Sequence, residues 1–220
     1  MLNAEDRLLA VRYAPRLFFD LHEPFFPVRF GITVLREEGS SPSFRRRLSV
    51  NRPGVEAVIE YAIYYDYDIQ HLYDLEHVWV YIGRNGEVVD AEASFHGKYL
   101  KSLLRGSANL EGTRVSLYVQ PGKHALSPFP EVFELLPAFA LCTQECAGAD
   151  GLIYGDFLHG ILSTDEETDR RVRRFLQTCR FTPSLSYAMR EYADREDVFV
   201  SWEELLAEIP GRVRRELARL

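Results

Sequence analysis

The sequence is poor in cysteine and has no long apolar run. It contains three cysteines in 220 residues, an odd number that argues against a secreted disulfide framework and for a reducing compartment. No stretch approaches the roughly 18 apolar residues that a membrane-spanning helix needs. The chain places Glu5 and Asp6 before any apolar run, unlike a secretion signal. These absences predict a cytoplasmic protein with no transmembrane segment.

Two of the cysteines, Cys142 and Cys146, are four positions apart. On a helix this spacing would bring them onto one side. We expect small buried residues here, and a disulfide or a metal-binding pair is the alternative.

Lysine is also scarce, and the charge balance is acidic. The formal net charge is −7, which argues against a nucleic-acid-binding protein and against adhesion to anionic membranes. Only three of the 26 basic residues are lysines. The short basic runs Arg45–Arg47 and Arg170–Arg174 are expected to lie on solvated faces.

The common catalytic signatures are missing as well. The sequence has no nucleophile elbow, no phosphate-binding glycine loop and no zinc-finger spacing, which disfavours the enzyme classes that depend on them. Whether the protein is an enzyme is therefore left open.

The first part of the chain has a β-strand pattern. Gly54–Asp68 is rich in β-branched and aromatic residues, as in a strand of a packed sheet. Leu75–Phe95 reads as a hairpin in which Asn85-Gly86 forms a type I′ turn. Alternation puts Val78, Val80 and Ile82 on one face and His77, Trp79 and Tyr81 on the other. A further strand is predicted at Arg114–Val119.

The last part of the chain has a helical pattern. Glu131–Leu141 is predicted to be a helix interrupted at Pro137, and Thr164 with the acidic residues after it begins another. Ser201 and Glu204 form a capping box for a helix Trp202–Ile209, which Pro210 is expected to divide from Arg212–Leu220. The fold class is thus α+β: an antiparallel β-sandwich body at 1–129 and a helical C-terminal part at 130–220 packed on it, as two units or one single domain.

Carboxylates and imidazoles are concentrated just before the hairpin strand, at Asp66, Asp68, His71, Asp74, Glu76 and His77. Alternation places Asp74 and Glu76 on the apolar face, where an uncompensated carboxylate costs several kcal/mol. A divalent cation at His71, Asp74 and Glu76 would compensate them. Pairing with arginine, or a strand that begins only after Glu76, are the alternatives. Oxygen ligands favour Ca²⁺, Mg²⁺ or Mn²⁺ over Zn²⁺.

Two further histidines follow predicted strands. His96 stands in SFHGKY and His124 in QPGKHALSP, both at strand-to-loop junctions where scaffolds often present functional side chains. Beside a cation, either could move a proton as a catalytic residue.

Several of these segments resemble known families. YAPRLFFDLHEPFFP at 13–27, DLEHVWVYI at 74–82 and RVSLYVQPGKHALSP at 114–128 resemble the vacuolar protein sorting-associated protein sixty-two-like family. HLYDLEHV also resembles the Gly-His-Arg-His-Asp-Trp-Glu-His signature of the necrosis- and ethylene-inducing peptide-like proteins, which are secreted β-sandwich cytolysins that bind a divalent cation. That resemblance implies His71, Asp74 and Glu76 as cation ligands. This sequence departs from the signature at Gln70, Tyr73 and Leu75.

The sequence thus predicts a divalent-metal site of carboxylates and histidine on a β-sandwich, with a metal-dependent hydrolase as one function. The alternative is a non-enzymatic module that binds a glycan, a lipid or a protein and whose carboxylates are structural. A third hypothesis makes the helical part an assembly surface. The expected partner is a small molecule or a glycan.

Overall fold

Two main β-sheets form the body of the protein. The structure, a computed structural model, describes residues 1–220 apart from the side chain at position 196. The strands are β1 (Arg16–Asp20), β2 (Arg29–Leu35), β3 (Gly39–Ser40), β4 (Arg47–Leu48), β5 (Val55–Tyr67), β6 (His71–Gly83), β7 (Val88–Phe95), β8 (Lys98–Lys101), β9 (Leu110–Glu111), β10 (Arg114–Val119), β11 (Leu126–Ser127), β12 (Gly151–Leu152), β13 (Tyr187–Arg190) and β14 (Phe199–Ser201).

Helices lie at the start of the chain and in its last two-fifths. The α-helices are α1 (Ala4–Arg12), α2 (Glu131–Glu134), α3 (Phe139–Cys142), α4 (Glu166–Thr178) and α5 (Trp202–Arg219). Short 3₁₀ turns are at Arg105–Ser107, Asp156–Leu158 and Glu196–Val198. None of the described helices combines the length and apolar character required to traverse a bilayer.

The larger sheet has the order β14-β2-β5-β6-β7-β8, with β12 added beside β6, and the smaller has the order β11-β10-β1-β13, with β9 beside β10. Most neighbours are antiparallel, while β1–β10, β2–β14 and β6–β12 are parallel. The main apolar core contains residues of both sheets, among them Leu17, Val80 and Leu117. The α+β sandwich is therefore confirmed. The division at 129/130 stays a prediction; β12, β13 and β14 come from its C-terminal side.

Helices α4 and α5 cover the outer face of the larger sheet. Val172 and Leu176 of α4 and Ile209 of α5 pack with Ala62 and Tyr64 of β5 in a second apolar cluster. This explains why Ala62 and Tyr64, two even positions of β5 that alternate with the sandwich face, are also apolar.

Two local predictions are wrong. In the hairpin between β6 and β7 only Gly86 has a positive φ, +78°, and its N–H donates to Gly83 O (2.9 Å), so a four-residue loop replaces the type I′ turn. Helix α5 runs through Pro210 without a break. Apolar packing on both sides of Pro210, by Ile209 and Val213, outweighs the loss of one helical hydrogen bond.

Other local predictions are confirmed. Ser201 and Glu204 form the capping box of α5, Asp165 caps α4, and the segment after Pro130 forms two short helices on either side of Pro137.

Candidate functional site

Strand β6 carries the three predicted cation ligands, His71, Asp74 and Glu76, and it begins at His71 rather than at Leu75. The alternative in which the strand begins only after Glu76 is therefore wrong. In register with β5, Asp74 is opposite Tyr65 and Glu76 is opposite Ile63, and both of these partners belong to the core between the sheets. The two carboxylates lie at the end of that core.

The Asp74 carboxylate is bonded to His124, which comes from the loop between β10 and β11. His124 is fully buried, its Nδ1–H donates to Asp74 Oδ2 (3.0 Å), and its ring stacks on Tyr65 at 3.9 Å between centroids. Its Nε2 lies 3.5 Å from Glu23 Oε1, without the geometry of a hydrogen bond. Burial opposes protonation, but the Asp74 and Glu23 carboxylates outweigh it and raise the pKa of His124 to about 10.

Glu76 lies beside this pair. The hydroxyl of Ser94 donates to Glu76 Oε2, and the main-chain N–H of His77 donates to Ser94 Oγ (2.6 Å). Burial, reinforced by the charge of Asp74, raises the pKa of Glu76 to about 8. At neutral pH this side chain is therefore mostly the neutral acid.

A third carboxylate, Asp68, has partners on both of its oxygens. Asp68 Oδ1 accepts the main-chain N–H groups of Gln70 (2.5 Å) and His71 (3.0 Å). Asp68 Oδ2 lies 3.2 Å from His71 Nε2 and forms an ion pair with Lys123 Nζ. Burial opposes ionisation, but His71 and Lys123 hold the pKa of Asp68 well below its usual range.

The predicted site residues therefore fall into separate groups. Asp74 and Glu76 lie with His124 in one group, and His71 is bonded to Asp68 in another. His96 stands in the exposed turn between β7 and β8, with φ +49°, and its ring packs edge-on against Phe95 at 4.9 Å. We call Glu23, Asp68, Asp74 and Glu76 together the carboxylate cluster.

The donors of the predicted cation site are already engaged. His71 Nδ1–H donates to Tyr73 O (2.6 Å) and its Nε2 lies 3.2 Å from Asp68 Oδ2, so both ring nitrogens already have partners within the chain. Lys123 lies against Asp68. Among the described residues, no group of three or more histidine, cysteine or acidic side chains is arranged to hold a metal ion. In this arrangement the residues do not fit a cation at His71, Asp74 and Glu76.

A cavity of about 340 Å³ opens on the other face of β6. Odd-numbered residues of the strand form one wall, and the loops at 43–44 and 153–157 form the others. The lining combines aromatic rings with a few polar groups: Ser43, Phe44, His71, Tyr73, Asp74, Leu75, His77, Ile153, Tyr154, Gly155 and Phe157.

A hydrogen-bonded chain backs one wall of this cavity. Ser43 Oγ–H donates to Glu60 Oε1 (2.5 Å), and Trp79 Nε1–H donates to Glu60 Oε2 (2.8 Å). Ser43 Oγ lies 2.9 Å from His77 Nε2. Since the hydroxyl proton goes to Glu60, His77 Nε2 carries the proton in this pair.

His77 has one ring nitrogen left over. The residue is 2% exposed, and its Nδ1 has no hydrogen-bond partner. Burial and the nearby Arg46 charge lower the pKa of His77 to about 3. The ring is therefore neutral, and Nδ1 is a buried acceptor without a hydrogen-bond partner.

The expectation that Arg45–Arg47 is a solvated run is wrong for its middle residue. The Arg46 side chain is 4% exposed and pairs with Glu92 at 2.5 Å, and its guanidinium lies over the rings of Trp79 (4.4 Å) and Tyr99 (3.7 Å). The aromatic face of the sheet attracts the planar cation, a tertiary contact that a charge run does not reveal.

Comparisons with known proteins give a limited result. No protein family description matches the chain, and no curated protein matches it. Solved structures do match it. Necrosis and Ethylene inducing Protein 2 from the causal agent of cocoa's Witches Broom disease is 23% identical, over 56% of this chain and 68% of that one, with a TM-score of 0.39. NLPPya in complex with glucosamine is 20% identical, over 59% and 69%, with a TM-score of 0.40.

The matched structures are thus necrosis and ethylene-inducing proteins, the group that HLYDLEHV resembles. At these identities and TM-scores the likeness carries no argument about function. None of the comparisons supports the resemblance to the vacuolar protein sorting-associated protein sixty-two-like family.

Sequence reasoning missed several residues of the site. Glu23 was noted only as part of a resemblance, and Lys123 and Ser43 were not singled out. The one sequence signal for Lys123 was its position next to His124. A loop that places a histidine beside carboxylates can place the neighbouring residue beside them as well. The three cysteines are free thiols, each partly exposed.

Proposed function

We propose that this protein is a non-enzymatic binding module for a sugar-sized polar ligand, held in the cavity on the outer face of β6. The observation that carries the proposal is the open cavity of about 340 Å³ on β6, which has the polar side chains of Ser43 and His77 in its lining. A concave site with a few polar groups is typical of small-molecule binding.

The rest of the lining suits the same chemistry. A sugar has apolar C–H faces and a rim of hydroxyl groups, so aromatic faces beside a few polar groups complement it. Phe44, Tyr154 and Phe157 supply the rings, and Ser43 and His77 supply the polar groups. The volume of about 340 Å³ is at the small end of the usual range for ligand sites, which favours one or two sugar rings over a longer chain.

The carboxylates have structural roles in this proposal. The Asp74 oxygens accept from Leu75 N–H (2.8 Å) and from His124. Catalysis by His96 and His124 remains a separate prediction, as does a cytoplasmic location; His124 is fully buried. Two matched structures are complexes with glucosamine and mannosamine, and we use these amino sugars only as probes.

Calorimetric titration with monosaccharides tests the proposal. Glucosamine, mannosamine and neutral hexoses are each titrated, and a ligand of about 12 heavy atoms is expected to bind with a Kd of about 1 mM. Phe157→Ala should weaken binding about tenfold, and His77→Phe, which removes a polar side chain from the lining, should weaken it as well.

Phe129→Ala is the matched control, because Phe129 is an exposed ring outside the cavity and its loss should leave the Kd unchanged. Absence of saturable binding up to a ligand concentration of about ten times the expected Kd would overturn the proposal. Binding that the cavity variants do not alter would overturn it as well.

A further inference from the structure

The loop between β10 and β11 is fixed against the carboxylate cluster by its main chain. Gly122 N–H donates to Glu23 Oε2 (2.6 Å), and Ile69 N–H donates to Gly122 O (2.8 Å). Gly122 has φ +71°, and a Cβ there would lie 2.7 Å from Ile69 Cγ2. Only glycine lets the loop approach this closely, and the approach determines where the next two side chains go.

Those two side chains bring positive charge to the cluster from one loop. Lys123 forms an ion pair with Asp68, and His124 contacts Asp74 and Glu23. The Lys123 side chain is only 15% exposed, and its ammonium also experiences the charges of Asp74 and Asp150. A surface lysine without such partners would extend its ammonium into water.

We infer that the Lys123 ammonium is the resident cation of the carboxylate cluster and that the folded protein needs no divalent metal there. Each carboxylate oxygen of Asp68 has two partners within the chain, and Lys123 Nζ is one of them. The Lys123 ammonium has no lone pair with which to coordinate a metal ion. It occupies the position beside Asp68 that a metal ion would take. The inference does not depend on the ligand of the cavity.

The charges of the cluster support this. Asp68 faces Lys123 Nζ and His71 Nε2, and His124 lies between Asp74 and Glu23. Each of these three carboxylates therefore has a basic side chain of the chain itself as its partner, in place of a bound cation.

Metal analysis and thermal unfolding of the parent protein test the inference first. After purification without added metal, elemental analysis is expected to find well under one equivalent of Ca, Mg, Mn or Zn. The Tm should change by less than about 1 °C with EDTA or with 5 mM of each cation, since a ligand that does not bind the folded state cannot stabilise it. A stoichiometric metal, or a fall in Tm on chelation, would overturn the inference.

Lys123→Ala provides the complementary test, because it frees Asp68 for a metal. The variant should have a lower Tm than the parent without metal and should gain about 5 °C or more when Ca²⁺ or Mn²⁺ exceeds its Kd a hundredfold. Lys98→Met is the matched control at an exposed lysine and should behave as the parent does. A Lys123→Ala protein that unfolds at the parent's Tm, or that no cation stabilises, would contradict the inference.

If Lys123→Ala folds only when a divalent cation is present, that result supports the inference as well. If it folds under neither condition, the metal content and chelator response of the parent protein remain the deciding measurements, and both outcomes of those measurements are informative.

Discussion

Replacing Glu76 by Gln is expected to remove much of the pH dependence of stability between pH 4.5 and 8. In the folded protein the pKa of Glu76 is raised from 4.5 to about 8, chiefly by burial and then by Asp74. The folded state therefore holds a proton that the unfolded chain releases. The stability that Glu76 contributes is fully present below pH 4.5 and is lost as the pH rises through 8. Gln resembles the neutral acid and does not titrate.

The size of the effect follows from the pKa difference. At about 1.36 kcal/mol for each pKa unit, the difference corresponds to at most about 5 kcal/mol. Glu76 is partly exposed to solvent, and solvent screening reduces the free-energy difference. We therefore expect an effect of about 1–3 kcal/mol. The pKa of His124 is raised from 6.5 to about 10. Its contribution to the stability of the protein also decreases as the pH rises, but only above pH 6.5. The range from pH 4.5 to 6.5 therefore isolates Glu76 from His124.

Urea unfolding at pH 5, 6, 7 and 8 measures the effect. The free energy of unfolding of the parent should fall across this range, and that of Glu76→Gln should fall less, so that the variant becomes the more stable protein at pH 8. Contributions common to both proteins, such as the raised pKa of half-buried Asp66, cancel in the difference. Glu37→Gln, at an exposed position, is the control and should follow the parent.

The opposite sign would refute the reasoning. If the parent gained stability relative to Glu76→Gln as the pH rose, Glu76 would be an ionised group with a favourable partner, as a metal ligand is. A difference between parent and variant that does not change with pH would show that the carboxyl is not perturbed at all.

Two further substitutions test the packing around the site by urea unfolding. Arg46→Met leaves Glu92 with the Tyr81 hydroxyl and with the more exposed cations Arg52 and Lys101, and it is expected to lower the free energy of unfolding by about 2–4 kcal/mol; a loss below about 0.5 kcal/mol would mean that the pair is effectively solvated. Gly122→Ala, which would force a Cβ against Ile69 at a positive φ, should cost about 2 kcal/mol or more. Gly97→Ala, with φ +72° and open space around it, should cost less, and equal losses would contradict the packing argument.

Most of the fold could be predicted because its elements have strong local patterns. The strands at 55–67 and 114–119 and the capped helix at Ser201 follow from alternation and from a capping box, both of which are encoded within a few residues. Pro210 shows where this fails. A proline predicts a helix end locally, but the apolar contacts of α5 with the sheet are long-range and outweigh it.

The site could be predicted only in part, for a similar reason. Alternation along β6 correctly put Asp74 on the interior face, because parity is a property of the strand alone. Its partner His124 is 50 residues away in sequence, and the pairing depends on how the β10–β11 loop meets β6. The role of His71 was inferred from a short motif, which gives residue types and spacing but does not reveal that Lys123 lies against the same aspartate.

Strand β6 connects the two halves of the site, and His71 contacts both. Its ring lines the cavity while its Nε2 faces Asp68 in the carboxylate cluster. If Lys123 neutralises that cluster, the ring of His71 is held in place before any ligand arrives, so the cavity wall is preformed and little ordering remains for the ligand to bring about. Sugar affinity should then be the same with and without EDTA. Binding that is lost on chelation would contradict the role of Lys123 and leave the cavity proposal standing. Absence of binding both with and without EDTA would contradict the cavity proposal and leave the role of Lys123 standing.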